Sequence, residues 1–75
     1  MIQELDRVVL TEALPELKLE QGDIGTIVLV HDNGAGYEVE FVLLSGETLA
    51  TATVAANQVR PISRREIANA RVLVA

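Results

Sequence analysis

Apolar and polar positions alternate along this chain in short blocks divided by turn residues. The sharpest block is Gly22-Asp23-Ile24-Gly25-Thr26-Ile27-Val28-Leu29-Val30. A polar, glycine-containing corner runs straight into β-branched and aliphatic residues, which predicts a strand from about Ile24 to His31. Both of its faces are largely apolar, so a central place in a sheet is expected. Leu5 to Leu10 predicts a short first strand. The segment Thr11 to Gln21 lacks a clean period, and Pro15 excludes a regular central strand there. An ordered loop, pinned to the body by Leu14, Leu17 and Leu19, is the expectation, closed by a turn at Gly22 and Asp23.

After His31, Asp32-Asn33-Gly34-Ala35-Gly36 predicts a hairpin, because Asn and Gly both tolerate positive φ. The third strand, Tyr37 to Leu44, alternates: Tyr37, Val39, Phe41 and Leu43 on a core face, Glu38 and Glu40 on a face toward water. Ser45-Gly46-Glu47 turns the chain into a fourth strand, Thr48 to Val54. Ala55-Ala56-Asn57-Gln58 suits one turn of 3₁₀ helix, and Val59-Arg60-Pro61-Ile62 a brief closing strand. In the tail, Ser63-Arg64-Arg65-Glu66 has the S-x-x-E form of a helix capping box. A short helix from about Arg64 to Ala70, with Ile67, Ala70 and Val74 on one face, is therefore expected, followed by an extended end. The tail's apolar residues need cover from the body or from another chain.

These elements describe an all-β chain: a small five-stranded SH3-like barrel over residues 1–62 with a C-terminal appendage, a short helix or an extended tail, over residues 63–75. With 75 residues the chain forms one domain, and a domain of this size buries only about 60–65% of its unfolded surface. It has no cysteine, so no disulfide adds stability, and self-association is one route to more buried area. Tyr37 and Phe41 are its only aromatic residues, which leaves a core of Val, Ile, Leu and Ala. No apolar run approaches the roughly 20 residues that span a membrane. The amino terminus has no basic and apolar leader pattern, and a cytoplasmic location is the expectation.

Charge is unevenly placed. Residues 1–59 carry ten acids against Arg7 and Lys18, a balance of −8, whereas residues 60–75 carry Arg60, Arg64, Arg65 and Arg71 against Glu66, a balance of +3. An acidic body repels phosphate backbones and suits a basic partner. The four arginines can meet an acidic partner or a phosphate, or can pair with acids of this body or of a second copy.

The residues that could carry chemistry are few. His31 is the only histidine, and as a general base it needs an orienting acid and a nucleophile beside it. Its neighbour Asp32 points to the opposite face of a strand. Glu38 and Glu40 share a face roughly 7 Å apart. They read as solvated acids, a weak cation site, or an acidic docking patch with Glu47 or Asp23. No phosphate-binding loop, nucleophile elbow or Cys/His zinc spacing occurs. No catalytic residue, cofactor or metal is expected, and an enzymatic role is not expected.

Six pieces carry a family resemblance: Leu5-Asp6-Arg7-Val8-Val9-Leu10, Leu14-Pro15-Glu16, Gly22-Asp23-Ile24-Gly25-Thr26-Ile27-Val28, Tyr37-Glu38-Val39-Glu40-Phe41, Gly46-Glu47-Thr48 and Val59-Arg60-Pro61-Ile62. Over residues 4–62 the chain resembles a bacterial and cyanobacterial family of small domains of unknown function, number four-nine-two-six. The resemblance implies the fold and carries no activity. The Gly22-x-x-Gly25 piece is similar to the KOW motif of ribosomal and elongation proteins, and to small SH3-like subunits of cyanobacterial photosynthetic complexes. KOW domains that bind RNA place Lys and Arg around that loop. Here it reads Glu20-Gln21-Gly22-Asp23, so RNA binding does not carry over.

The expected function is a non-enzymatic protein-binding or accessory module, with Arg60, Arg64, Arg65, Arg71, Glu38 and Glu40 as partner-binding candidates. Its partner would be another protein or a second copy, not nucleic acid or membrane. One alternative is an antitoxin-like or inhibitor-like neutraliser of a basic protein, since acidic proteins mask basic surfaces by complementarity. The other is a KOW-type nucleic-acid module.

Overall fold

The computed structural model describes residues 1–73 of the chain. Five strands appear where the hydrophobic pattern places them: β1 Arg7–Leu10, β2 Ile24–His31, β3 Gly36–Val42, β4 Thr48–Ala55 and β5 Val59–Pro61. A 3₁₀ turn at Pro15–Leu17 sits in the long first loop and a second, Ala56–Gln58, precedes β5. All pairings are antiparallel, and the strand order is β4-β3-β2-β1-β5, with β2 at the centre. Among the described residues the ladder stays open between β4 and β5. The all-β class and the order of elements stand as read from the sequence. Closure into a hydrogen-bonded barrel is not part of this ladder, with which an SH3-like arrangement is compatible.

One apolar cluster takes side chains from every strand and from the first loop. Val8, Leu10, Ile27, Val39, Phe41, Val54 and Val59 belong to it, with Leu14 and Leu19 from the loop. With no second layer of structure, residues of all five strands can share one cluster only if the sheet curls around it. The Leu14–Leu19 bridge closes the loop and presents both leucines to that cluster. No polar or charged side chain is buried among the described residues.

Core side chains pack more closely on Gly25 than on any other glycine. It pairs with Val8 of β1, and the β2–β3 register sets it opposite Phe41. A Cβ at this position would lie 2.5 Å from Val39 Cγ1 and 2.8 Å from Phe41 Cε1. Two core side chains therefore rest on the glycine backbone itself. Three residues later β2 carries a bulge at Val28, between Ile27 and Leu29. The bulge changes which residues face inward. Ile27, opposite Val39, points into the core. Beyond it Val30, opposite Tyr37, points inward, and Leu29 and His31 turn to the outer face. That phase change explains why both faces of this strand read as apolar.

Several strand ends shift by one or two residues from the sequence reading, and the tail differs more. β1 starts at Arg7 rather than Leu5, because Leu5 takes a φ of 75° that no regular strand accommodates. β3 ends at Val42 rather than Leu44, where a turn begins with Leu43 N–H donating to Glu47 O and Gly46 N–H donating to Leu43 O. The expected helix from Arg64 to Ala70 does not form: after Pro61 the tail is irregular, with one turn at Arg64–Arg65. Residues 61–72 are exposed, so no apolar face is buried to support a helix, and so short a helix is marginal on its own. Val74, assigned to that helix face, lies outside the described residues.

A Gly25→Ala variant forces Val39 and Phe41 off the sheet. It is expected to lose about 1–3 kcal/mol of stability by overpacking, read as a lower urea midpoint with an unchanged slope. An unchanged midpoint would show that the core has room at this point.

Candidate functional site

The six residues singled out in the sequence fall into two separate places. Glu38 and Glu40 share the outer face of β3, and each is engaged locally. Glu38 faces Thr53 across the β3–β4 pair. Its Oε2 accepts a hydrogen bond from Thr53 Oγ1 at 2.6 Å and lies 2.8 Å from His31 Nε2. Hydrogen bonds from Thr53 and then from His31 hold the Glu38 carboxyl below the usual range. Glu40 accepts from Thr48 Oγ1 at 2.6 Å. The bulge at Val28 is what brings His31 to this face.

The arginines lie elsewhere. Arg60, on the edge strand β5, makes a bidentate pair with Glu66, Nη1 to Oε1 at 2.8 Å and Nη2 to Oε2 at 2.6 Å. Glu66 Oε1 also accepts from Ser63 N–H at 2.7 Å. The Glu66 half of the capping box is thus present together with the Arg60 pair, but it closes a turn rather than opening a helix, because the exposed residues that follow bury no apolar face. Arg64 and Arg65 occupy the exposed turn between these partners.

Arg71 reaches back across the chain to the loop before β2. Its Nε donates to Asp23 Oδ1 at 2.9 Å, its Nη2 donates to Asp23 Oδ2 and, at 3.2 Å, to the Lys18 carbonyl, and its Nη1 lies 3.4 Å from Glu20 Oε2. Four acceptor atoms converge on one guanidinium. The socket is built by the loop itself. Glu20 N–H donates to Asp23 Oδ2 at 2.7 Å, Asp23 N–H returns to Glu20 O, and Gly22 N–H and Asp23 O bond the two polar groups of Leu10 in β1. Burial pushes the Asp23 carboxyl up, but the bonds from Arg71 and Glu20 and the Arg71 charge outweigh it and lower its pKa.

The returning tail leaves an open groove of about 550 Å³ between itself, the loop before β2 and the end of the β3–β4 hairpin. Ile24, Val42, Leu44 and Ile67 line it, and Leu44 and Ile67 are 93% and 94% exposed. Sequence reasoning weighed Glu20 and Asp23 against RNA binding but did not assign them as the partners of Arg71. The signal was the opposition of an acidic body to a basic tail. Among the described residues no group of three or more His, Cys, Asp or Glu is placed to hold a metal ion, and no helix is long and apolar enough to cross a membrane.

The Arg60–Glu66 pair sets a pH dependence. The hydrogen bonds from Arg60, then that from the Ser63 N–H, hold Glu66 down to about 2 from an ordinary 4.5. The folded value lies below the unfolded one, so its contribution is complete above pH 4.5 and disappears as pH falls through about 2. A carboxyl NMR titration should place the Glu66 midpoint near 2, and Arg60→Ala should move it toward 4.5. A midpoint near 4.5 in the unaltered chain would mean that the tail turn does not persist in solution.

No curated protein and no solved structure matches the chain. A family model does match, over residues 4–61, the span from just before β1 to the end of β5. That span holds the whole sheet and the arginine socket and stops where the tail begins. The chain belongs to the family described as Domain of unknown function (DUF4926).

Proposed function

We propose that the protein is a non-enzymatic protein-binding or accessory module that docks through the groove beneath its tail. The observation that carries this reading is the apolar set left open there: Val42, Leu44 and Ile67 are each more than half exposed on the groove, beside charged groups that pair with one another. An apolar patch rimmed by polar groups is the usual form of a contact surface between proteins.

The polar chemistry of the outer face supports the same reading. A base and a nucleophile act together when they share a hydrogen bond. Thr53 donates its hydroxyl to Glu38 rather than to His31, so this hydroxyl is not paired with the histidine as a nucleophile. The acids near the loop of the KOW-like piece are occupied by Arg71, which leaves them negative or neutralised and not suited to phosphate.

Removing residues 63–75 is the direct test. The sheet should stay folded by circular dichroism, since residues 61–72 are exposed and the family span ends at residue 61. Proteins recovered by affinity capture from the native cell with the intact chain should be lost with the truncated one. Recovery of the same proteins by both forms would contradict a tail-dependent docking site.

A further inference from the structure

We propose that the socket formed by Lys18, Glu20 and Asp23 takes Arg71 from a second copy of the chain, so that two copies exchange tails. The proposal rests on the binding-module reading and names its partner. It starts from the socket's independence of its occupant. The bonds that shape it run between Glu20 and Asp23 and from Gly22 and Asp23 to Leu10. None involves a tail residue, so the socket persists when Arg71 leaves.

The occupant, by contrast, is loosely tied. Between Pro61 and Arg71 the arm has no strand or helix, and its residues are exposed. Ile67 and Val72 are 94% and 89% exposed in the closed chain, so folding the arm onto its own body hides almost none of their apolar surface. What holds its far end is the guanidinium, seated on Asp23 with its side chain 29% exposed. Releasing that contact uncovers no core.

Reach and chemistry then favour a second copy. With the Arg60–Glu66 turn opened as well, ten residues of extended arm span about 33 Å, close to the molecule's longest dimension of 35 Å. A released arm therefore spans to a neighbouring body. Every copy carries the same socket and the same arginine, so an exchanged Arg71 keeps its own contacts with Asp23, Lys18 and Glu20 and creates no mismatched charge, which is the condition for exchange of an identical element. The basic tail of one copy, at +3, lies on the acidic body of the other, at −8 over residues 1–59. Each arm also carries Ile67 to the other body's groove beside Val42 and Leu44, the place it holds on its own body in the closed chain.

Charge reversal separates exchange from closure. In Asp23→Arg the socket repels its own tail, and in Arg71→Asp the tail repels its own socket. Exchange between these two variants restores opposite charges at both contacts. Each alone should be a monomer by light scattering and native mass spectrometry, and a 1:1 mixture should form the mixed dimer. A mixture that stays monomeric would overturn the proposal. A second measurement uses the unaltered protein. In a mixture of carbon-13-labelled and unlabelled chains, isotope-filtered NOEs should connect Arg71 with the Lys18–Asp23 loop between chains. NOEs confined within one chain, with Arg71 seated on its own body, would overturn it, as would a monomeric mass at the concentration of that experiment. Either failure leaves the binding-module reading to be judged by capture with and without residues 63–75, where the partner is a different protein.

Discussion

The rest of the molecule depends on how closely β3 approaches the backbone of β2 at Gly25. Val39 and Phe41 rest where a Cβ would stand, and this lets a single sheet curl far enough to place residues of β1 and β5 in one cluster with those of β3 and β4. A chain this short, without disulfides, has little apolar surface to bury and no second layer to bury it against. The aromatic ring opposite a strand glycine supplies contact area that the glycine lacks. Curvature replaces the missing layer, and the loop leucines Leu14 and Leu19 add to the same cluster.

Polar groups organise the surface instead of the interior. On the outer face, Thr53 and His31 engage Glu38, and Thr48 engages Glu40. These cross-strand contacts fix register across β2, β3 and β4. At the other side, Arg60 and Arg71 draw the tail toward the body through Glu66 and Asp23. Exposed ion pairs hold weakly and are screened by salt. The body is therefore held by packing and the tail by charge, and the two respond to different conditions.

Much of this was legible in the sequence. The bounds of β2 follow from Gly22-Asp23 and the apolar run, and the inward set of β3 follows from strict alternation at Tyr37, Val39 and Phe41. The turn at Asp32 and Asn33, both at positive φ, follows from their side chains. Two features were not legible, for different physical reasons. The bulge at Val28 depends on which residue of β3 pairs with which of β2, and a run apolar on both faces does not specify that register. The tail carried a helix signal in Ser63 and Glu66, and Glu66 does accept the Ser63 N–H, but no apolar face is buried behind it to extend a helix, and Arg71 finds its partner 48 residues away. Local patterns report local competition only. Of the candidate site, the charge opposition was visible and the pairing of Arg71 with Asp23 was not, because it joins segments that only the fold brings together.

The tail is a charged arm tied near its root by Arg60–Glu66 and held at its far end on an independent body by the Arg71 socket. Nitrogen-15 relaxation combined with amide hydrogen exchange, on the unaltered chain and on Asp23→Asn, tests it most directly. Loss of the Asp23 charge should free residues 67–73 to move on the nanosecond timescale while β1, β2 and β3 keep their exchange protection. Protection that falls in the strands together with the tail, or a tail as ordered as before, would contradict it.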